Sequence, residues 1–505
     1  MGGLAVAARL AARRHQVTVV DRRDVPGGKL HTWKRDGFAF DTGPSLFTLP
    51  AVYRDLFLKT GRPLEDEVDL QPVDPGFHYR FADGTSVTVP GVGVAQIANA
   101  LQEAMGGTAG KDWRALMARA AQMWALTRER VLASPLQGPR SMASLARRPS
   151  DIATIAPHRT LAGMGKHYLD DPRLRTLLHR YATYTGSDPS RAPAALATVP
   201  YVEQSFGAWH IGGGLGELAG AVYNRAIRLG VDFRLGEAAE HITTSGGAIS
   251  GVVLEGGSRL EADVVVSDVD ARHLYRDLVP ADVAQRSAGG QLSNLRRLDR
   301  SMSAFTMLLA LRDRTPDAVH HTVLFPKQYD QEFADIFGTG GWASALPGRP
   351  SKAAPQPVRD PAIYLCNPDD DRMRPDAGHE AVFVMVNAPG HDPSGANGFD
   401  WSDSASAESY ADHILALMAS RGMDVRHRLL WRRVRTPADL AADHGDGDGA
   451  IYGSASHGPN ATLLRPRNAS PIPGLFLVGG SAHPGGGLPL VGLSAEIVSD
   501  LVGKA

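Results

Sequence analysis

An α/β fold is predicted: a parallel-stranded nucleotide-binding unit whose chain is interrupted by an inserted α+β domain. Two observations predict it. Near the C-terminus, the apolar run Leu475 to Val478 reads as a buried strand, passes through a turn rich in Gly and Pro, and resumes as an apolar helix near Leu490. At the N-terminus, Leu4 to Arg14 reads as a helix, Val17 to Val20 as a strand, and Asp21 stands at its end. A third strand-forming stretch, Ala262 to Ser267, falls between them and has the composition of a buried parallel strand.

The N-terminal pattern is that of a dinucleotide fold, which opens with a strand, a Gly-x-Gly-x-x-Gly turn, a helix and a second strand ending in an acid. Gly3 to Asp21 is close to the separation of about 20 residues between that turn and the ribose-binding acid. Gly2-Gly3 therefore takes the place of the end of the fingerprint, with Gly3 as the glycine that lets helix and strand pack closely. The first strand and the first two glycines do not precede it in the sequence as written. An apparently missing first strand is thus part of the expectation, and weak cofactor binding would follow from it.

The C-terminal turn carries more information. Gly485, Gly486 and Gly487 have no side chains, so a flat ligand can lie on their backbone. The helix behind them offers unpaired N–H groups and a partial positive charge. The ordered string Gly479-Gly480, Ser481, His483-Pro484-Gly485, Gly487, Pro489 and Ser494-Ala495 resembles the C-terminal flavin-contacting motif of the phytoene desaturase family, the carotenoid-forming branch of flavin amine-oxidase-like enzymes. The resemblance implies FAD as cofactor, with contacts at Gly480, Gly486, Gly487, Pro489 and Val491. Such a helix terminus would also stabilise the negative charge of a reduced flavin.

Further blocks follow in the family's order. Pro26-Gly27-Gly28-Lys29 resembles the loop after the acid, which implies cofactor contacts at Gly2, Gly3, Asp21, Gly28 and Lys29. Phe40-Asp41-Thr42-Gly43-Pro44-Ser45 resembles the block leading to the flavin ring, which implies Thr42, Gly43 and Pro44; taken alone, Asp41-Thr42-Gly43 would be an Asx turn. Mid-chain, a glycine loop from Gly212 to Gly216 leads into a helix through Ala226, then a strand from Val231 to Leu235. Gly236 to Ile242 resembles the stretch whose backbone meets the adenine, at about Ala239. Hairpin strands at Ile249 to Leu254 and Arg259 to Glu261 complete the insert. The Gly212 loop has no strand before it in this reading, so it is not a second dinucleotide site.

Composition excludes several classes. At 505 residues, two domains are expected. Hydrophobic residues make up 43% and charged residues 21%, which fits a globular chain, and a net charge of -1 gives no footprint for nucleic acid. Cys366 is the only cysteine, so no internal disulfide forms. His320 and His321 would point apart on a strand, and no metal site is expected. Asp443 to Gly449 fails the spacing of a calcium loop and reads as a solvated acidic turn. No stretch is long and apolar enough for a membrane span, nor is there a signal peptide, so a cytoplasmic location with peripheral membrane contact is expected.

Segments 1–60, 205–295 and 455–505 are assigned to the FAD-binding domain, and 61–204 with 296–454 to the substrate domain. The first insertion reads as largely helical (Ala95 to Met105, Lys111 to Leu132, Leu174 to Tyr184). The second mixes strands (Ser303 to Leu311, Ala381 to Ala388) with a helix near Ser406 to Arg421. Tyr181, Tyr184, Tyr201, Phe206, Trp209, Trp113, Trp124, Met117 and Met123 read as core, or as the lining of a tunnel for a polyene. No nucleophile elbow or metalloprotease motif occurs, and no catalytic residue is assigned; His483 reads first as a turn residue bonded to backbone. The resemblance implies FAD-dependent desaturation of an acyclic C40 carotene such as phytoene, with oxygen or a quinone as electron acceptor. A carotene isomerase or ketolase, an amine oxidase and an inactive remnant stand as alternatives.

Overall fold

The computed structural model describes residues 1–137, 148–338, 353–445, 447–459 and 461–505. Helix Gly2–Ala12 is rich in Ala and Leu, strong helix formers, and is buried along most of its length. It packs against the C-terminal helix Leu488–Val502 and helix Gly216–Arg228. A β-carbon at Gly2 would stand 3.0 Å from Gly479 Cα, and one at Gly3 would stand 2.8 Å from the Asp268 carboxylate. The close backbone approach expected at Gly3 is thus made by Gly2, while Gly3 lies against a side chain.

Strand Thr18–Asp21 pairs in parallel with Asp232–Leu235, and Val265–Ser267 in parallel with Leu475–Leu477. Between them a three-stranded antiparallel insert is ordered Arg259–Glu261, Ala248–Leu254, Ala239–Ser245. Each parallel pair joins stretches far apart in sequence, which is how a discontinuous unit is held together. The hairpin and both parallel strands follow the sequence reading to within a few residues.

The inserted stretches build a seven-stranded sheet. Its order is Leu429–Arg435, Ser303–Arg312, His379–Ala388, Ile363–Cys366, His321–Leu324, Phe77–Arg80, Ser86–Val89. All neighbours are antiparallel except His321–Leu324 with Phe77–Arg80. The first insertion is largely helical, as read from the sequence, and the strands Phe77–Arg80 and Ser86–Val89 add to that reading: Phe77, Tyr79, Val87 and Val89 alternate inward and join its core. The helices Val94–Met105, Ala109–Thr127 and Pro172–Arg180 cover this core. Trp113, Met117 and Met123 are fully buried there, and Trp113 Nε1 donates to Gln204 Oε1 at 3.0 Å.

Among the described residues no helix is long and apolar enough to cross a membrane.

Candidate active site

One cavity of about 930 Å³ runs between the glycine-rich turns and the seven-stranded sheet, and all fourteen residues singled out from the sequence line it. The N-terminal group consists of Gly2, Gly3, Asp21, Gly28 and Lys29. Asp21 ends its strand, accepts from Arg23 N at 3.0 Å, and has its carboxyl pushed above the usual range by burial. Gly28 adopts φ +59°, and nothing lies within 4 Å of where its β-carbon would be. Lys29 Nζ donates to Ala450 O at 3.0 Å, so this cation ties its loop to the segment before Ile451. The Gly3 N–H, at the start of its helix, donates to Asp268 Oδ2 at 2.9 Å.

Thr42, Gly43 and Pro44 form the next wall. A β-carbon at Gly43 would fall 1.7 Å from Lys29 O, so only glycine allows the two loops to touch. Asp41 beside them is no local Asx turn. It accepts from Leu215 N at 2.9 Å and from Thr32 Oγ1 at 2.7 Å, capping the start of helix Gly216–Arg228. Asp370 likewise accepts from Gly213 N at 2.6 Å and pairs with His210 Nε2 at 3.0 Å. The Gly212 loop does follow a short strand, Trp209–Ile211, contrary to the sequence reading, but that strand is antiparallel to Leu70–Pro72. Two of the protein's own carboxylates sit on the loop's N–H groups, which leaves no phosphate cradle there.

Ala239 and the C-terminal group Gly480, Gly486, Gly487, Pro489 and Val491 complete the glycine-rich wall. The two neighbouring glycines differ. A β-carbon at Gly486 would strike Tyr452 Cδ1 at 2.3 Å, whereas at Gly487, with φ +97°, it would meet nothing within 4 Å. The His483 ring does not border the cavity: its Nε2 bonds to the backbone carbonyls of Val131 and Ser134 at 2.8 and 3.0 Å.

The opposite wall is the inserted sheet, which presents Ala304, Val323, Phe383 and Met385. Arg180, Tyr184, Tyr329, Tyr364 and Asn387 border it. Of the aromatic and methionine residues offered from sequence as tunnel lining, only Tyr184 is in this wall; the helical stripe is core, because it faces the sheet and the neighbouring helices. The period-two faces of the strands were the signal that could have found the wall.

Two other sequence readings change. Asp448 is a half-buried acid paired with Arg300, while Asp443 is exposed, as expected, and pairs with Arg435; Asp446 lies outside the described residues. His320 and His321 do not point apart. Only His321 lies in the strand, its partner across the sheet is Cys366, and ligand atoms of His320, His321 and Cys366 all lie within 4.8 Å of one another. His321 Nδ1 is 2.8 Å from Tyr364 Oη, and burial lowers the pKa of both histidines and raises that of the thiol.

Residues 1–329 match the family described as flavin containing amine oxidoreductase. The chain is 30% identical to a hydroxyneurosporene desaturase of Rubrivivax gelatinosus over 99% of its own length and 91% of that protein. The chain belongs to this flavoenzyme family, in its carotenoid desaturase branch. It is likewise 29% identical to a zeta-carotene-forming phytoene desaturase of Myxococcus xanthus, and 27% identical to a 4,4'-diapolycopene oxygenase of Methylomonas sp., over 99% of this chain and 92% and 96% of theirs. An oxidoreductase from Methanosarcina mazei shares the fold with TM-score 0.60 at 16% identity, covering 99% of this chain and 98% of that one. A cyclohexylamine oxidase from Brevibacterium oxydans does so with TM-score 0.59 at 13% identity, covering 99% and 97%.

The chain is therefore an FAD-dependent oxidoreductase. Its cavity fits that group. The backbone is bare at Gly28 and Gly487, where a β-carbon would meet no protein atom. An acid stands at the end of the second strand of the fingerprint. A helix begins at the wall, at Gly2.

Proposed function

We propose that this chain dehydrogenates a long acyclic carotene, the class to which phytoene belongs. The observation that carries the reading is the continuity of the cavity, from the glycine-rich wall onto the apolar sheet face of Ala304, Val323, Phe383 and Met385. Burying a polyene on such a face is favourable at roughly 25 cal/mol per Å² of apolar area. FAD, when bound, supplies the acceptor for the hydride equivalent that the polyene loses. We assign Asp21 to the adenosine ribose, Gly2 and Gly3 to the pyrophosphate, Ala239 to the adenine, and Gly480, Gly486, Gly487, Pro489 and Val491 to the flavin ring. Gly28, Lys29, Thr42, Gly43 and Pro44 shape the wall between.

The sheet face then orients the polyene against the ring and excludes water from it. Oxygen or a quinone takes the electrons onward. Peripheral membrane contact delivers the substrate; Val92, in a bend, and Phe206, at the end of the helix Thr198–Phe206, are 55% and 42% exposed and support this. The test is FAD-loaded protein given phytoene or a partly desaturated carotene in liposomes with oxygen or a quinone. Products with red-shifted absorption are expected. Turnover of small amines with carotenes untouched would overturn the reading. An oxygenated product would favour the ketolase reading, which the similarity to an oxygenase supports.

A further inference from the structure

His321 and Cys366 are register partners on the neighbouring antiparallel strands His321–Leu324 and Ile363–Cys366, so their side chains leave the sheet on the same face. His320 stands in the bend just before its strand. Its carbonyl accepts from Asn367 N at 2.8 Å, which carries the pairing one step past the strand end. The His320 ring comes to 4.5 Å from that of His321, centroid to centroid. One ligand atom from each of the three side chains, two nitrogens and a sulfur, thereby lies within 4.8 Å of the others.

The cluster meets the cavity wall from behind. His321 Nδ1 is 2.8 Å from Tyr364 Oη, and Cys366 Sγ reaches Ser45 O at 3.9 Å; Tyr364 and Ser45 border the cavity. Packing alone does not account for the arrangement. His321 is fully buried, and its Nε2 has no hydrogen-bond partner among the described residues, although buried polar atoms are nearly always paired. The contact from Nδ1 to Tyr364 is of the kind that holds a ligating imidazole in place. Burial keeps both imidazoles neutral, the form that binds a metal. The donor set is also selective. Two imidazoles and a thiolate suit zinc(II) or copper(I), not the oxygen-seeking magnesium or calcium. With bonds of about 2.0–2.3 Å, donors around such an ion stand roughly 3.5 Å apart. Closing the cluster takes a movement on the order of an ångström, and the bend at His320 can supply it without shifting the strands.

We propose that His320, His321 and Cys366 bind one zinc(II) or copper(I) ion, which clips the strands His321–Leu324 and Ile363–Cys366 together behind the cavity wall. On binding, the thiol S–H bond breaks, a sulfur–metal bond forms and the proton passes to solvent; no electron is exchanged. The test uses the FAD-loaded full chain without a histidine tag, stripped of metal by a chelator. It is titrated with zinc(II), with copper(I) under a reductant, and with cobalt(II) as a coloured stand-in for zinc. Zinc or copper should bind at one ion per chain, release a proton and raise the melting temperature, and the tighter of the two names the metal. Cobalt should give an intense thiolate-to-cobalt charge-transfer band. Cys366→Ser and His321→Gln should each weaken binding by about 100-fold or more, beyond the roughly 10–100-fold typical of losing an outer contact. Should either fail to fold, His320→Gln decides, because that ring lies outside the strand: its metal-free melt should match that of the unaltered chain, and the metal should no longer raise it. Absence of binding in all three titrations overturns the proposal. Binding undiminished in Cys366→Ser or in His320→Gln also overturns it, since the ion then sits elsewhere.

Discussion

The Asp41 carboxylate accepts the backbone N–H of Leu215 at 2.9 Å, across 174 residues of sequence. It joins the strand Phe38–Asp41 to the helix that opens at Gly216, and it lies beside Thr42 and Gly43 in the cavity wall. Asp41→Ala leaves the N–H of Leu215 and the hydroxyl of Thr32 without their acceptor. Unfolding free energy should fall by about 1–3 kcal/mol, the cost of stranding a buried donor. Asp41→Asn should recover part of this, since an amide oxygen still caps a helix. Thermal melts of the two variants check it; identical midpoints for Asp41→Ala and the unaltered chain would refute it.

Asp21 presents a different balance. Its side chain takes one backbone N–H, from Arg23, and otherwise faces the cavity. Asp21→Ala should weaken FAD binding by about 1.5–3 kcal/mol, as for a hydrogen bond to a charged group, with little change in the melt of the FAD-free chain. Titration of FAD by quenching of its fluorescence measures this. An unchanged dissociation constant makes Asp21 a structural acid only.

Gly486 and Gly487 separate packing from ligand approach. Gly486→Val drives its β-carbon into Tyr452 and should lower the melting temperature with or without flavin. Gly487→Val has room but a left-handed backbone, costing about 1–2 kcal/mol, and its side chain should chiefly lower flavin occupancy, read from the absorbance of the purified protein. Full flavin loading in Gly487→Val would remove that glycine from the cofactor surface.

Glu332 carries a pH signature. It is fully buried, accepts from Ala362 N at 2.6 Å and Asn387 Nδ2 at 2.7 Å, and burial pushes its pKa up to about 7. The folded state therefore holds this proton more tightly than the unfolded chain. Its contribution is fully present below pH of about 4.5, the ordinary glutamate range, and is lost as pH rises through 7. Over that window the unaltered chain should lose on the order of 3 kcal/mol relative to Glu332→Gln. Melts of both proteins from pH 5 to about 8 should diverge; parallel curves would show that the carboxyl titrates normally.

The glycine turns at both termini were legible because each depends on local sequence: a glycine followed by a helix, an acid at a strand end. The cavity wall contributed by the inserted sheet was not. Phe77–Arg80 and Ser86–Val89 have four residues each, with charged or polar residues between the inward-facing ones, and the partner of the first is His321–Leu324. Their alternation around the Asp83-Gly84 turn was a hairpin signal, weak beside the helical stripe that follows it. Arg180 reads as an ordinary helix-terminal cation until the fold surrounds it with four rings. Asp41 and Asp370 likewise gain their roles only from chain brought in from elsewhere.

The parallel pairing of Phe77–Arg80 with His321–Leu324 also governs how the protein comes into being. A ribosome making about 5–20 residues each second delivers the second strand many seconds after the first. Through that interval the hairpin Phe77–Val89 has one edge without a neighbour, and the aromatic face of Phe77 and Tyr79 lacks its cover from the later strands. An open edge of this kind templates association between nascent chains. Production of this enzyme should therefore be limited by what happens to the half-made chain, and slower translation without a holding chaperone should lower the soluble yield.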